Sequence, residues 1–182
     1  DLLEKVVVKR YKIGSGDLTN LLLLKKIVIT GKPIILSSGM STTSEIKQTL
    51  KYLKKCENQY SLLHCTSQYP VKPEDIRLDL ISKYKSQFDC TIGFSDHSIG
   101  FSIPLAAASK KACIIEKHLT LSRDIPGPDS AFSFEPAEFK SMVDGIRTAE
   151  KAPDRAPLVT LNSWAIGKKK APKPNEKRTD WI

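Results

Sequence analysis

The chain has 182 residues, 40% of them hydrophobic, and a formal net charge of +9. That size points to one compact domain whose core needs no staples, and no run approaches the roughly 20 apolar residues of a membrane-spanning helix. The charge is concentrated: residues 167–178 carry six Lys or Arg against Glu176, a Lys-Pro-rich stretch that reads as a solvated linker. No DNA or RNA motif accompanies it, which argues against nucleic acid as the partner. The milder positive excess elsewhere suits an anionic small substrate.

In chain order, residues 1–6 read as the end of a helix and 10–15 as a first strand. A helix is expected over 20–30, capped by Thr19 or Asn20 and closed by Gly31, with Pro33 beyond. Ile34-Ile35-Leu36-Ser37 is the second strand, and Thr42-x-x-Glu45 is a capping box opening a helix to about Lys55. Residues 60–66 form the third strand, and 74–87 are expected to be largely helical. Two short apolar runs follow, Cys90-Thr91-Ile92-Gly93-Phe94-Ser95-Asp96-His97 and Ala112-Cys113-Ile114-Ile115-Glu116-Lys117-His118. Both read as buried strands, with a helix over 101–110 between them. After a loop, Pro136 takes an early helical position in a helix that runs to Lys151.

The alternation predicts a parallel sheet with helices outside it. Two architectures fit: an open doubly wound sheet, or part of an eight-stranded α/β barrel, here about five of eight strands. The opening helix, which has no preceding partner, favours the barrel. The opening charges do not read as a secretory leader. Cys56, Cys65, Cys90 and Cys113 form no C-x-x-C pair. Buried thiols in a reducing, cytoplasmic compartment, not a disulfide framework, are therefore expected.

Parallel strands joined by a helix bring their carboxyl ends to one edge, which is where active sites of such folds lie. His97 and His118 stand at two such ends. If the strands are neighbours, about 4.8 Å apart, two imidazoles can share a labile divalent ion completed by water and substrate oxygens. The competing reading is two histidines that only pack or bond to backbone. Ser15, Ser37 and Ser95 stand at the same edge, and glycine beside serine lets backbone N–H groups approach an oxyanion. Each serine alone is a common turn former; together they read as a phosphate cradle, with Lys12 as its point charge. The strand period puts Ser95 with His97, and Glu116 with His118, on inward faces. Glu116 could then bond Lys12 or orient a ligand, or be a plain ion pair of the barrel interior. Lys117 should alternate outward. His64 reads as a satisfied core histidine, and Asp17 as a cap for the next turn.

These motifs together resemble the sialic acid synthase family, comprising N-acetylneuraminate, legionaminate and pseudaminate synthases. The resemblance rests on Tyr11-Lys12-Ile13-Gly14-Ser15-Gly16-Asp17-Leu18-Thr19-Asn20 and Gly31-Lys32-Pro33-Ile34-Ile35-Leu36-Ser37-Ser38-Gly39-Met40. It continues through Leu63-His64-Cys65-Thr66-Ser67-Gln68-Tyr69-Pro70, Gly93-Phe94-Ser95-Asp96-His97, Ile115-Glu116-Lys117-His118-Leu119-Thr120 and Gly127-Pro128-Asp129. It implies a TIM (β/α)8 barrel, of which residues 1–155 would be the carboxyl-terminal portion. Residues 156–182 would be a basic linker toward an antifreeze-like domain.

The implied reaction condenses phosphoenolpyruvate with an N-acetylated hexose aldehyde such as N-acetylmannosamine, releasing phosphate and using a divalent metal, often Mn2+ or else Mg2+. By motif position, the resemblance assigns the metal to His97 and His118, and the phosphate to Ser15, Ser37 and Ser95. It makes Lys12 the neutralising charge and Asp17 a support of the site. Ser67 and Tyr69 fall at substrate contacts, and Asp129 at the sugar. Ser67 stands where several members have Asn, Lys111 where the pattern commonly has Gly, and Ser130 where many have His. Family members also carry three earlier strands, with a catalytic glutamate and another lysine. Their antifreeze-like domain lends an arginine to the neighbouring subunit of a homodimer. The chain by itself is therefore expected to be inactive. In the competing class it is a non-catalytic remnant that binds ligands or partners.

Overall fold

Each apolar run reads out as one strand, and each intervening amphipathic segment as a helix over it. The computed structural model describes residues 2–152; the expected linker 156–182 lies outside the described residues. The order is α1 (Leu2–Lys5), β1 (Tyr11–Ile13), α2 (Leu21–Val28), β2 (Ile34–Ser37), α3 (Thr43–Lys55), β3 (Tyr60–Cys65), α4 (Asp79–Gln87), β4 (Thr91–Asp96), α5 (Ser102–Ser109), β5 (Ile115–Lys117) and α6 (Pro136–Lys151). No helix among the described residues is long and apolar enough to cross a membrane.

The sheet runs β1-β2-β3-β4-β5, all neighbours parallel. A doubly wound sheet reverses its strand order at a switch point. This one never reverses, so every right-handed crossover puts its helix on the same face. The result is a five-stranded half-barrel of α/β type.

The local signals act as their chemistry dictates. Asn20 Oδ1 accepts from Leu23 N at 3.1 Å at the start of α2, and Gly31 past its end takes φ +69°. Thr42 and Glu45 form the reciprocal capping box of α3. The core lies between sheet and helices. Ile13, Ile34, Leu36, Leu62, Ile92 and Phe94 point outward from the strands and meet Leu24, Ile46, Leu53, Ile81 and Ala107 from the helices.

Two expectations are corrected. Residues 74–87 are not one helix: Pro73–Asp75 makes a 3-10 turn, Ile76 is extended, and the α-helix begins at Asp79. Packing of the half-buried Ile76 and Leu78 against the core overrides the local helical pattern. His64 is a core residue, but not a satisfied one. Neither ring nitrogen has a hydrogen-bond partner among the described residues. It faces α4, where its neighbours are the rings of Tyr84 and Phe94, at 6.0 and 5.8 Å between centroids. Burial pushes its pKa down to about 4.

Candidate active site

Alternation along the parallel strands sorts the sheet into two faces. The outer face carries the core; the inner face carries Lys12, Ser37, Ser95, Glu116 and, at the carboxyl edge, His97 and His118. Register explains why they meet. Ser95 pairs with Glu116 across β4 and β5, and Ser95 Oγ donates to Glu116 Oε1 at 2.7 Å. Lys12 Nζ lies 3.2 Å from the same oxygen and donates to Ser37 Oγ at 2.9 Å. Four side chains from four strands thus form one charged, hydrogen-bonded patch. Gly93 gives β4 and β5 their close approach: a Cβ there would fall 2.6 Å from the Ile114 carbonyl and 2.8 Å from its Cβ.

A second cluster adjoins it. Gly39 N donates to Ser15 Oγ at 3.0 Å, and Ser15 Oγ donates to Cys65 Sγ at 3.7 Å. A Cβ on Gly39 would lie 3.0 Å from both Cys65 Sγ and Ser15 Oγ and would also collide with Ser67 Oγ. That hydroxyl is buried and has no partner among the described residues. A bare glycine beside an orphaned hydroxyl leaves room at this edge for an oxyanion to approach.

The histidines lie one residue beyond the Asp96–Lys117 register pair, with ring centroids 5.3 Å apart. His97 Nδ1 sits 2.8 Å from the Thr66 carbonyl. A carbonyl only accepts, so Nδ1 carries a proton, and in the neutral ring the lone pair is at Nε2, the tautomer a metal-ligating imidazole uses. His118 Nδ1 is 3.5 Å from Asp129 Oδ2. Burial and then the neighbouring His97 lower the His118 pKa, with Asp129 and Glu116 opposing. Tyr69 packs on His97 at 4.1 Å between centroids, and Phe132 closes on His118 at 5.2 Å. Burial, then Cys65, Asp129 and Glu116, raise the Tyr69 pKa and keep its phenol protonated. No cluster of three or more His, Cys, Asp or Glu among the described residues could hold a metal. The two histidines therefore do not make up a closed structural site, which takes four ligands.

Of the expected site residues, Lys12, Ser37 and Ser95 join the Glu116 network, and Ser15 joins Ser67 around Gly39. Tyr69, His97, His118 and Asp129 gather at the carboxyl edge. Asp17 stands apart: exposed on the turn after β1, it accepts from Asn20 Nδ2 at 3.0 Å. Cys65 and the Thr66 carbonyl were not expected here. Cys65 shares the inward alternation of Leu63 and pairs in register with Ser95, a signal legible in the sequence. A separate concavity lined by Arg10, Asn58, Gln59, Asp89 and others opens at the opposite edge of the sheet and touches none of these residues.

The sequence matches the NeuB family model over residues 1–156. It is 43% identical over 157 residues to the N,N'-diacetyllegionaminic acid synthase of Campylobacter jejuni, covering 84% of this chain and 46% of that protein. It is 37% identical over 153 residues to the N-acetylneuraminate-9-phosphate synthase of Homo sapiens, covering 84% and 43%. The chain thus spans less than half the length of these relatives. The crystal structure of N-acetylneuraminic acid synthetase from Leptospira borgpetersenii, in complex with citrate, superposes with a TM-score of 0.80 at 36% identity, over 89% of this chain and 58% of that one. A truncated 3-deoxy-D-arabino-heptulosonate 7-phosphate synthase from Thermotoga maritima superposes at 0.68 and 20% identity over 80% of this chain and 60% of that one, a likeness of fold alone.

Proposed function

The chain belongs to the NeuB family, and on that premise we propose that it is part of a cytoplasmic, homodimeric enzyme that condenses phosphoenolpyruvate with an N-acetylated hexose aldehyde. N-acetylmannosamine is the aldehyde proposed, and the products are a sialic acid and inorganic phosphate. The observation that carries this reading is the placement of the Lys12–Ser37–Glu116–Ser95 network beside the histidine pair on one sheet edge. One cluster suits a phosphorylated acid and the other a carbonyl.

In this reading the phosphoenolpyruvate phosphate is held by Ser15, Ser37 and Ser95, with Lys12 balancing its charge. Ser67 and Tyr69 contact the substrates, Asp129 accepts from a sugar hydroxyl, and Asp17 supports the first βα turn. His97 and His118 would hold a divalent ion, Mn2+ or else Mg2+, which when bound polarises the aldehyde oxygen as a Lewis acid. The enol carbon attacks the aldehyde carbon, and the new C–C bond leaves a hydroxyl after protonation. Water adds to the resulting oxocarbenium carbon and loses its proton. Cleavage of the C–O bond then expels phosphate and leaves the ketone. The residues of this chain bind and orient in that sequence. The 182-residue chain alone is proposed to be inactive: mixed with phosphoenolpyruvate, N-acetylmannosamine and Mn2+, it should release no phosphate, and robust turnover would overturn that statement.

The direct test is isothermal titration of Mn2+ into the protein that contains this chain. His97→Ala and His118→Ala should each weaken binding at least tenfold, since mutating even a group that only supports a ligand costs roughly 10- to 100-fold. Unchanged affinity in both variants removes the metal assignment.

A further inference from the structure

Asp96 and Lys117 immediately precede His97 and His118, and strand alternation turns them to the opposite face of the sheet. There they meet. Lys117 Nζ lies 2.6 Å from Asp96 Oδ2, with side chains 1% and 0% exposed. The same ammonium donates to the Ser98 carbonyl and, at 3.5 Å, to the Gly100 carbonyl. An ammonium has three protons, and these three acceptors take them all. Asp96 Oδ1 accepts from Ser98 N at 3.0 Å, and the Phe134 ring lies 4.6 Å from Lys117 Nζ.

Each of these contacts leads back to a histidine. Ser98 and Gly100 belong to the loop that leaves His97. Phe134 N donates to the His118 carbonyl at 2.9 Å, and Val71 N donates to the His97 carbonyl at 3.0 Å. A buried ion pair adds little net stability, because desolvating both charges offsets their attraction. Its geometric effect is larger. A slip of one residue between β4 and β5 would turn one histidine off the inner face, and it would also break this pair and strand two buried charges.

We propose that the Asp96–Lys117 pair is a positioning device for the metal. From the far side of the sheet it locks the carboxyl ends of β4 and β5 in register, and so sets His97 and His118 at the spacing one divalent ion requires. The proposal rests on the reading that these two histidines hold the ion.

The test uses the full protein that contains this chain. A single Lys117→Met change strands a buried carboxylate and can cost the fold. The decisive variant is therefore Asp96→Asn/Lys117→Met, which buries no charge. Asp96→Asn alone, which leaves Lys117 its two carbonyl acceptors, is the second variant. Two readouts are taken on folded protein, confirmed by a cooperative thermal melt: Mn2+ affinity by titration calorimetry, and the imidazole 1H–15N NMR spectrum of the metal-free protein. The double variant should bind Mn2+ roughly 10- to 100-fold more weakly, the range for lost supporting contacts around metal ligands. Its His97 signals should lose the single Nδ1–H tautomer that the Thr66 carbonyl enforces. Asp96→Asn should show the same changes at the lower end of that range. Wild-type affinity and unchanged imidazole spectra in either folded variant overturn the proposal. If the wild-type protein binds no Mn2+ while the imidazole signals still shift in the double variant, the positioning role stands and the metal reading falls.

Discussion

Ser95 and Glu116 are register partners on adjacent strands, and the Glu116 oxygen that accepts from Ser95 Oγ at 2.7 Å is the one that Lys12 Nζ approaches at 3.2 Å. The Glu116 carboxylate therefore holds two of the donors that the proposed phosphate would need, Ser95 and Lys12. A dianionic phosphate must compete with it for Lys12 and Ser95.

Opposite effects on phosphate affinity follow for the two ends of this contact. Lys12→Ala should raise the KM for phosphoenolpyruvate at least tenfold, the loss of one charge-assisted hydrogen bond of about 1.5–3 kcal/mol. Glu116→Gln keeps the shape and removes the competing charge, so inorganic phosphate should bind several-fold more tightly. Steady-state kinetics on the full protein measure the first, and calorimetric phosphate titration the second. Weaker phosphate binding in Glu116→Gln would show that the carboxylate organises the donors instead of competing for them.

Gly39 is the geometric pivot of the neighbouring cluster. Its missing side chain leaves the space into which Ser15, Cys65 and Ser67 converge. Gly39→Ala should displace Ser67 Oγ and open the Gly39 N to Ser15 Oγ bond. The expected cost is about 1–3 kcal/mol of overpacking, together with a raised KM for phosphoenolpyruvate. A variant with unchanged thermal midpoint and unchanged KM would show that the cluster relaxes freely and is not a binding cradle.

The strands, the crossover helices and the shared inward face of Ser95, His97, Glu116 and His118 were legible because alternation and capping are local properties of the chain. Lys117 shows where that legibility stops. Its outward direction followed from the period of two, but what covers the outer face did not. The burial of its ammonium against Asp96 came only with the β4–α5 loop in place. The thiols expected to be buried divide in the structure, with Cys113 exposed and Cys56 and Cys90 half-buried; Cys65 is buried, and its register with Ser95 places it inside the site. The Thr66 carbonyl that sets the His97 tautomer is a backbone group, which side-chain motifs do not display. Lys111, standing where the family pattern commonly has Gly, takes φ +66°. The turn keeps its left-handed geometry and imposes it on a residue poorly suited to it.

His64 supplies a pH dependence whose sign can be worked out. Its folded pKa is depressed by burial to about 4, against an ordinary value near 6.5 in the unfolded chain. Above pH 6.5 both states leave the ring neutral, and protonation makes no difference between them; the desolvation of the unpartnered nitrogens is then a cost independent of pH. As pH falls from 6.5 toward 4, the unfolded chain takes up a proton that the folded protein refuses, so stability falls with pH through that window. The loss levels off below 4, at roughly 3 kcal/mol for a depression of this size. His64→Leu should remove this slope. It should also stabilise the protein at neutral pH, because two buried ring nitrogens without partners are no longer desolvated. Urea unfolding of both proteins at pH 7 and pH 4.5 measures the difference, and an NMR titration of the His64 ring reads its pKa directly. A ring that titrates near 6.5 in the folded protein, or a variant that keeps the full acid slope, would show that His64 is solvated and paired in a way its apolar surroundings do not provide.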